Sequence, residues 1–108
     1  MRFGKKIRAL RADKGLSLRA LGLRVGVSFA YISKVENGKC PWGEYPSHDL
    51  ICRLAAALDG DEEELLLLAE KIPEPIRRRF FERPEAFRRI ARLDDHWLDR
   101  VLKCIDSA

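Results

Sequence analysis

Apolar side chains recur at helical spacing from the start of the chain. Phe3, Ile7 and Leu10 follow an i, i+4, i+7 pattern, which is the periodicity of one buried helix face. This pattern predicts a first helix from Phe3 to Lys14, because Gly15 is the residue type that most readily ends a helix. The basic residues between these apolar positions fall off the stripe, so the predicted helix is amphipathic.

Residues 17–37 contain the most informative pattern. Ser17 and Ser28 each precede an amphipathic segment and offer a side-chain oxygen to free backbone N–H groups, which predicts two helix starts. Gly26 separates the two segments as a tight turn, and Gly38 ends the second. The apolar residues that would lock one helix across the other are Leu18, Leu21, Val25, Val27, Ile32 and Val35. This is the layout of a helix-turn-helix, whose second helix lies in the major groove of DNA.

Two further helices complete the N-terminal part of the chain. Ser47 predicts the start of helix four. Its buried face consists of Ile51, Leu54, Ala55 and Leu58. Asp61 followed by Glu64 is a capping-box pattern that precedes the four consecutive leucines of helix five. We therefore expect residues 1–71 to form an all-α domain of five helices.

A loop separates helices three and four. Two prolines and a glycine fall between Lys39 and Pro46, and these residue types interrupt helices. Trp42 and Tyr45 are the aromatic residues of this segment. They would either reach the DNA backbone at the edge of a site or cover the loop itself.

Residues 72–108 also show helical periodicity with large apolar residues. The prolines on either side of Glu74 open a sixth helix, Pro84 suits the first turn of a seventh, and Asp94 or Asp95 caps an eighth. Three short helices bury little surface by themselves, so we expect them to pack on helix five or on a second subunit. This C-terminal helical extension is predicted to serve dimerisation or partner binding.

The net charge of +4 is unevenly distributed. Residues 1–60 hold 11 Lys or Arg and 5 Asp or Glu, residues 61–70 hold 5 acids and no base, and residues 71–108 hold 10 bases and 7 acids. The basic excess falls on the part that contains the helix-turn-helix, as a phosphate-binding surface requires. A second basic cluster would either touch flanking DNA or form an exposed helix face: Arg77, Arg78, Arg79, Arg83, Arg88 and Arg89.

Several classes of protein are disfavoured by the sequence. No stretch approaches the roughly 20 apolar residues of a membrane-spanning helix, and no apolar signal core follows the N-terminal residues. We therefore expect a soluble, cytoplasmic protein without membrane contact. The three widely spaced cysteines fit a reducing compartment. Cys40, His48 and Cys52 match no common zinc-site spacing, so we expect neither a metal nor a cofactor.

Patterns of catalytic residues are also missing from the sequence. His48 and His96 belong to no recognisable arrangement of nucleophile and base. Asp94 and Asp95 before His96 are more simply explained as a helix start, and no glycine-rich phosphate loop occurs. We therefore expect that the protein is not an enzyme.

Five short motifs are spaced along residues 3–69. They are Gly15 to Ser17, Gly26 to Ser28, Tyr31 to Gly38, Pro46 with Ser47, and Leu54 to Leu58. Together they resemble the Xre family of phage-repressor-like helix-turn-helix regulators. The resemblance implies a five-helix lambda-repressor-like DNA-binding domain and sequence-specific binding of duplex DNA, often as a two-fold symmetric dimer. Members often carry Gln directly after the first cap, where it grips phosphate; Leu18 stands there in this chain, so we expect that contact to be absent.

The side chains that would read bases follow from this resemblance and from the geometry of the groove. They lie at the N-terminal end and on the outer face of helix three: Ser28, Phe29, Ala30, Ser33 and Lys34. Lys34 can donate to guanine, the serines can pair with several bases, and Phe29 and Ala30 offer apolar surface that suits a thymine methyl. The alternative for Phe29 is packing against the protein or a partner subunit.

Phosphate contacts would come from residues around the same motif: Lys14, Arg19, Tyr31, Asn37 and Lys39. For each charged residue the alternative is a solvated surface position, and Tyr31 would divide between the core and a phosphate. Glu36 would repel phosphate unless it is paired, and Arg8 or Arg11 is the expected partner.

The sequence therefore predicts a transcriptional regulator that binds double-stranded DNA. We expect a repressor that acts as a homodimer on a palindromic operator with half-sites about one DNA turn apart. The alternative is an antitoxin-like protein whose C-terminal helices bind and neutralise a partner protein, with autoregulation of its operon. The two functions are compatible in one chain.

Overall fold

The computed structural model describes residues 2–40 and 45–108. Within these ranges it contains eight α-helices and no β-strand, which confirms the predicted all-α fold class. In chain order the helices are α1 (Phe3–Asp13), α2 (Leu18–Val25), α3 (Phe29–Glu36), α4 (His48–Leu58), α5 (Glu62–Leu68), α6 (Glu74–Glu82), α7 (Pro84–Ala91) and α8 (Asp95–Asp106).

Side-chain caps start the helices at the predicted serines. Ser17 Oγ and Ser28 Oγ each accept a hydrogen bond from the backbone N–H three residues later, at 3.0 and 3.1 Å. Ser47 Oγ does the same for α4 at 3.2 Å. These bonds satisfy N–H groups that have no partner within the first helical turn. Gly15 and Gly38 adopt positive φ angles just beyond α1 and α3, as the sequence predicted.

One apolar core lies among the first five helices. Its buried members come from all of them: Phe3, Ile7, Leu21, Val25, Ile32, Val35, Leu50, Ile51, Leu54, Ala55, Leu58, Leu65, Leu66 and Ala69. Leu10 and Leu18 pack at its edge. Each large apolar side chain that is fully buried contributes about 1.5–3 kcal/mol to folding, so α2 and α3 are held by the helices around them rather than by their own short length.

The interior of this domain also contains an acid. Glu36, the last residue of α3, is buried, and its carboxylate accepts hydrogen bonds from two arginines of α1. The sequence predicted pairing with Arg8 or Arg11, and the structure shows both. A buried carboxylate needs such partners because removing a charge from water is strongly unfavourable.

The start of α5 forms only half of the predicted capping box. Asp61 Oδ1 accepts a hydrogen bond from the Glu64 backbone N–H at 3.2 Å. The Glu64 carboxylate lies 3.1 Å from Lys6 Nζ on α1, so it pairs with another helix instead of reaching back to the cap residue. The reason for this difference is tertiary: the sequence pattern contained no information about which side chain α1 would bring to this end of α5.

Residues Glu74–Ala108 form a second compact unit that contains α6, α7 and α8. Pro84 occupies the first turn of α7, and Asp94 Oδ1 caps α8 by accepting a backbone N–H at 2.9 Å. The rings of Phe80 and Phe87 join α6 to α7 with their centroids 5.7 Å apart. None of the residues in these three helices is buried, so large apolar side chains stay exposed.

The chain therefore divides into two units, one that ends at Pro73 and one that begins at Glu74. The first holds α1 to α5 and with them the helix-turn-helix. None of the helices in the described ranges has both the length and the apolar character needed to cross a membrane.

Candidate nucleic-acid interface

The helix-turn-helix depends on a close approach between α2 and the turn that follows it. A Cβ atom at Gly22 would lie 2.6 Å from the carbonyl oxygen of Val27, so the observed spacing requires glycine. Gly26 ends α2 with a φ of 79°, in the left-handed region that glycine adopts without strain. Arg53 Nη1 of α4 donates to the carbonyl oxygen of Val25, which satisfies the end of α2. The close contact therefore sets the spacing between α2 and the turn before α3, and the hydrogen bond from Arg53 joins the end of α2 to α4.

The third helix is buried along one side and exposed at its start. Ile32, Val35 and Glu36 face the interior. The predicted base-reading residues lie at the start and on the outer side of the helix, exposed except for a half-buried Ser33: Ser28, Phe29, Ala30, Ser33 and Lys34. The exposed set occupies the first turn and the outer side of α3, which is the part of a recognition helix that enters a major groove.

Arg19 and Phe29 are in direct contact across the turn. The guanidinium carbon of Arg19 lies 4.2 Å from the centroid of the Phe29 ring, within the range of a cation–π interaction. Phe29 is 43% exposed, so one ring face packs on the protein while part of the ring stays open. The contact shows packing of part of the ring against the protein, and it joins a residue predicted to bind phosphate to one predicted to read bases.

Asn37 is held in place by a hydrogen-bond network at the end of α3. Its Nδ2 donates to the Ser33 carbonyl oxygen at 2.9 Å, and its Oδ1 accepts from Arg8 Nη2 at 2.6 Å. Arg8 also donates to Glu36, so one arginine bridges the buried acid and the exposed amide. The sequence identified Arg8 only as a partner for Glu36, and nothing in the spacing signalled its contact with Asn37.

The other predicted phosphate-binding residues have different surroundings. Lys14 Nζ forms an ion pair with the carboxylate of Asp59, the residue that follows α4. Lys39 is exposed one residue beyond Gly38. Tyr31 is half-buried and packs against the core. The structure therefore places Lys39 on the surface next to the end of α3, and ties Lys14 to α4.

The loop after α3 is described only in part. Trp42 lies outside the described residues. Tyr45 packs edge-on against Phe3, with ring centroids 5.9 Å apart and an interplanar angle of 84°. This contact gives Tyr45 a packing role at the start of α1.

Cys52 and His48 are neighbours on α4, with Sγ 3.6 Å from Nδ1. The pKa of the Cys52 thiol is raised to about 11, first by burial and then by a hydrogen bond with Glu62 and the negative charges of Glu62 and Asp49. A catalytic cysteine or a zinc ligand needs a thiolate that forms readily, so this environment disfavours both. In the part of the chain that the structure describes, no three His, Cys, Asp or Glu side chains form a group that could hold a metal ion.

The geometry of the N-terminal unit agrees with the comparison of the sequence with known families. Residues 2–68, which contain all of α1 to α5, match the helix-turn-helix domain family. The chain belongs to this family, and the resemblance to phage-repressor-like helix-turn-helix regulators is confirmed.

Similar proteins are transcriptional regulators by name. The HTH-type transcriptional repressor RghR of Bacillus subtilis (strain 168) is 40% identical over 72 residues, which cover 67% of this chain and 51% of RghR. The restriction-modification controller protein C.AhdI from Aeromonas hydrophila is 38% identical with a TM-score of 0.52, over 58% of this chain and 89% of that one. The clp gene regulator ClgR from Corynebacterium glutamicum is 32% identical with a TM-score of 0.53, over 63% and 68%. The chain spans about half the length of the curated relatives it matches.

Proposed function

We infer that this chain binds a specific sequence in duplex DNA through the start of α3 and represses transcription by occupying its site. One observation carries the inference: the first turn of α3 is exposed while Ile32, Val35 and Glu36 anchor the rest of the helix. A helix anchored along one side and open at its start can insert its N-terminal side chains into a major groove without any rearrangement of the core.

The proposed roles of the side chains follow their chemistry and their surroundings. Lys34 donates to guanine, and Ser28 and Ser33 form hydrogen bonds with several different bases. Phe29 and Ala30 present apolar surface. The residues proposed to hold the phosphate backbone are Arg19, Tyr31, Asn37 and Lys39. Lys14 is left out of this set because its ammonium group is already paired with Asp59.

We propose that the chain acts as a repressor and that it does so as a homodimer; the names of two relatives support the regulatory part of this proposal. RghR is named a repressor, and C.AhdI is named a controller protein. Two copies related by a two-fold axis would place two recognition helices about 34 Å apart, so that the operator is palindromic with half-sites about one helical turn from each other.

Selection of binding sites from a random duplex library tests the proposal. The full-length protein at near-physiological salt should enrich a two-fold symmetric motif. A Lys34→Ala variant should lose its preference at one position of each half-site, whereas Lys71→Ala, at a lysine beyond α5, should select the wild-type motif. Weak and steeply salt-dependent binding without a motif would contradict sequence-specific recognition.

The second unit supports an additional role in protein contacts. Large apolar side chains are half or more exposed on α6 and α8: Phe81, Trp97, Leu102 and Ile105. Exposed apolar residues of this size on one short unit are typical of a surface that another chain covers. We assign it first to the homodimer; the alternative is a separate partner protein, as in an antitoxin that also represses its own operon.

A charge-introducing variant distinguishes these two assignments. Leu102→Lys combined with Ile105→Lys places two cations on the exposed face of α8. If this face forms the homodimer, sedimentation should show a monomer and operator binding should weaken. If the variant still dimerises and binds the operator like wild type, the face is free for a different partner, which affinity capture with the wild-type chain and the variant would then compare.

A further inference from the structure

An apolar hollow lies beside the start of α3, against the outer face of α2. Its volume is about 250 Å³, and its walls come from both helices and the turn between them: Arg19, Leu23, Val27, Ser28 and Phe29. Leu23 is 86% exposed, more than any other large apolar side chain in the described ranges. The other large apolar residues of α2, Leu18, Leu21 and Val25, pack into or against the core, so packing within the domain does not account for a leucine at this position.

The stacking of Arg19 on Phe29 gives the hollow a fixed wall with a positive rim. The Arg19 guanidinium lies over the ring with its carbon 4.2 Å from the centroid, and it carries five N–H donors. Within residues 2–40 and 45–108 these donors form no hydrogen bond or ion pair with the protein. The contact therefore packs part of the ring against the protein and leaves the cation available for an acceptor outside it.

We propose that this hollow receives the C5-methyl group of a thymine in the bound DNA, with Leu23 and Phe29 as its apolar walls, while Arg19 contacts the adjacent phosphate. The proposal rests on the DNA binding proposed above and names the base that one part of the interface reads. Thymine is the base that presents a methyl group in the major groove. An apolar hollow with a cation at its rim matches a nucleotide that carries a methyl on its base edge and a negative charge on its backbone.

Leu23 thereby becomes a specificity-determining residue on α2, outside the recognition helix itself. Its contribution is the removal of one methyl group from water, which corresponds to about a fourfold change in affinity. Phe29 contributes the opposite wall, and its effect depends on the orientation that Arg19 gives it.

Replacement of thymine by deoxyuridine tests the proposal, because it removes the methyl group and leaves base pairing intact. In the operator selected for the full-length protein, each thymine is replaced in turn and the dissociation constant is measured. We expect one position in each half-site at which the wild-type protein binds the deoxyuridine duplex about fourfold more weakly. In Leu23→Ala and in Phe29→Ala this difference should fall below about twofold, because the methyl group then loses one of its two apolar walls.

Matched controls separate this effect from loss of folding. Leu23 is exposed, so its truncation should leave the circular dichroism spectrum and thermal unfolding unchanged. Ile72→Ala truncates another exposed apolar residue, beyond α5, and should retain the full fourfold difference.

Two results would overturn the proposal. The first is an operator in which no thymine shows a deoxyuridine penalty. The second is a penalty that stays the same in Leu23→Ala and Phe29→Ala, which would assign the methyl contact to Ala30. Failure to select any operator is a different outcome, because it would contradict the proposed DNA binding and the present inference together.

Discussion

Arg11 and Glu36 form a two-pronged ion pair that connects α1 to the end of α3. Arg11 Nε donates to Glu36 Oε2 at 2.6 Å, and Arg11 Nη2 donates to Oε1 at 3.0 Å. The hydrogen bonds to Glu36 raise the pKa of the Arg11 guanidinium. Because the Glu36 side chain is only 2% exposed, this pair fixes the C-terminal end of α3 and through it the direction in which the start of the helix points.

Removal of this acid should strongly destabilise the fold. Glu36→Ala leaves Arg11 without its carboxylate partner in a mostly buried position, and we expect the free energy of unfolding to fall by about 3 kcal/mol. Arg8→Ala removes the half-exposed member of the network and should lower it by less than about 1 kcal/mol. Urea unfolding followed by circular dichroism measures both values. Equal, small effects of the two substitutions would show that the buried pair does not hold α1 to α3.

Gly22 and Gly15 allow two reasons for glycine to be compared. Gly22 is required by close packing, and Gly15 by its backbone conformation. In Gly22→Ala the new methyl group would clash with the Val27 carbonyl oxygen, and the backbone of the turn must shift. We expect a loss of about 2–3 kcal/mol, as for an overpacked core position. Gly15 has a positive φ but open space around it, so Gly15→Ala should cost only about 1 kcal/mol.

Thermal unfolding of the two glycine variants beside wild type gives the comparison. A Gly22→Ala protein that unfolds like Gly15→Ala would mean that α2 and the turn can separate without cost. In that case the steric contact at Gly22 would not set the spacing between α2 and the turn.

Local signals in the sequence predicted most of the N-terminal unit. The helix starts were predicted at Ser17, Ser28 and Ser47, because a short polar side chain before an apolar stripe commonly caps the backbone N–H groups of a helix. Glu36 was expected to be paired because an unpaired acid near the end of the recognition helix would repel phosphate. These features are readable from one sequence because each depends only on nearby residues or on the chemistry of one side chain.

Features that depend on distant contacts were not predictable. Gly22 lies inside a helix, where a glycine gives no sign that another backbone segment will pass 2.6 Å from its missing Cβ. The stack of Arg19 on Phe29 depends on the rotamers of two side chains. The exposure of Leu23 contradicts the ordinary expectation for a leucine in an amphipathic helix. Three of these four residues, Arg19, Leu23 and Phe29, line the hollow proposed to read thymine.

The thiol of Cys52 should be unreactive in the folded protein. Its pKa is raised from near 9 to about 11, so at pH 8 the reactive thiolate should be roughly a hundredfold rarer than in the unfolded chain. Alkylation by iodoacetamide, followed by mass spectrometry of the Cys52 peptide with and without denaturant, measures this ratio. Glu62→Gln removes a carboxylate that suppresses the thiolate and should speed labelling of the folded protein. Labelling at equal rates with and without denaturant would contradict the raised pKa of Cys52.

The same shift makes folding stability depend on alkaline pH. The folded protein holds the Cys52 proton more tightly than the unfolded chain does, so the unfolded chain ionises first as the pH rises. The free energy of unfolding should therefore fall between about pH 9 and pH 11. Cys52→Ser should remove this part of the pH dependence, which urea unfolding at several alkaline pH values measures. An equal loss of stability in the variant would show that another group causes it.

Lys39 and Lys14 should differ in their effect on the salt dependence of DNA binding. Each lysine that contacts a phosphate releases a counterion and contributes about 0.9 to the slope of log K against log salt. Lys39 is exposed beside the end of α3, so Lys39→Ala should reduce the slope by about 0.9 for each bound protomer. Lys14 is paired with Asp59, so Lys14→Ala should leave the slope unchanged within error. Fluorescence anisotropy titrations of one operator at four salt concentrations would measure all three slopes, and a reduction by Lys14→Ala as large as that by Lys39→Ala would mean that DNA displaces Asp59 from its partner.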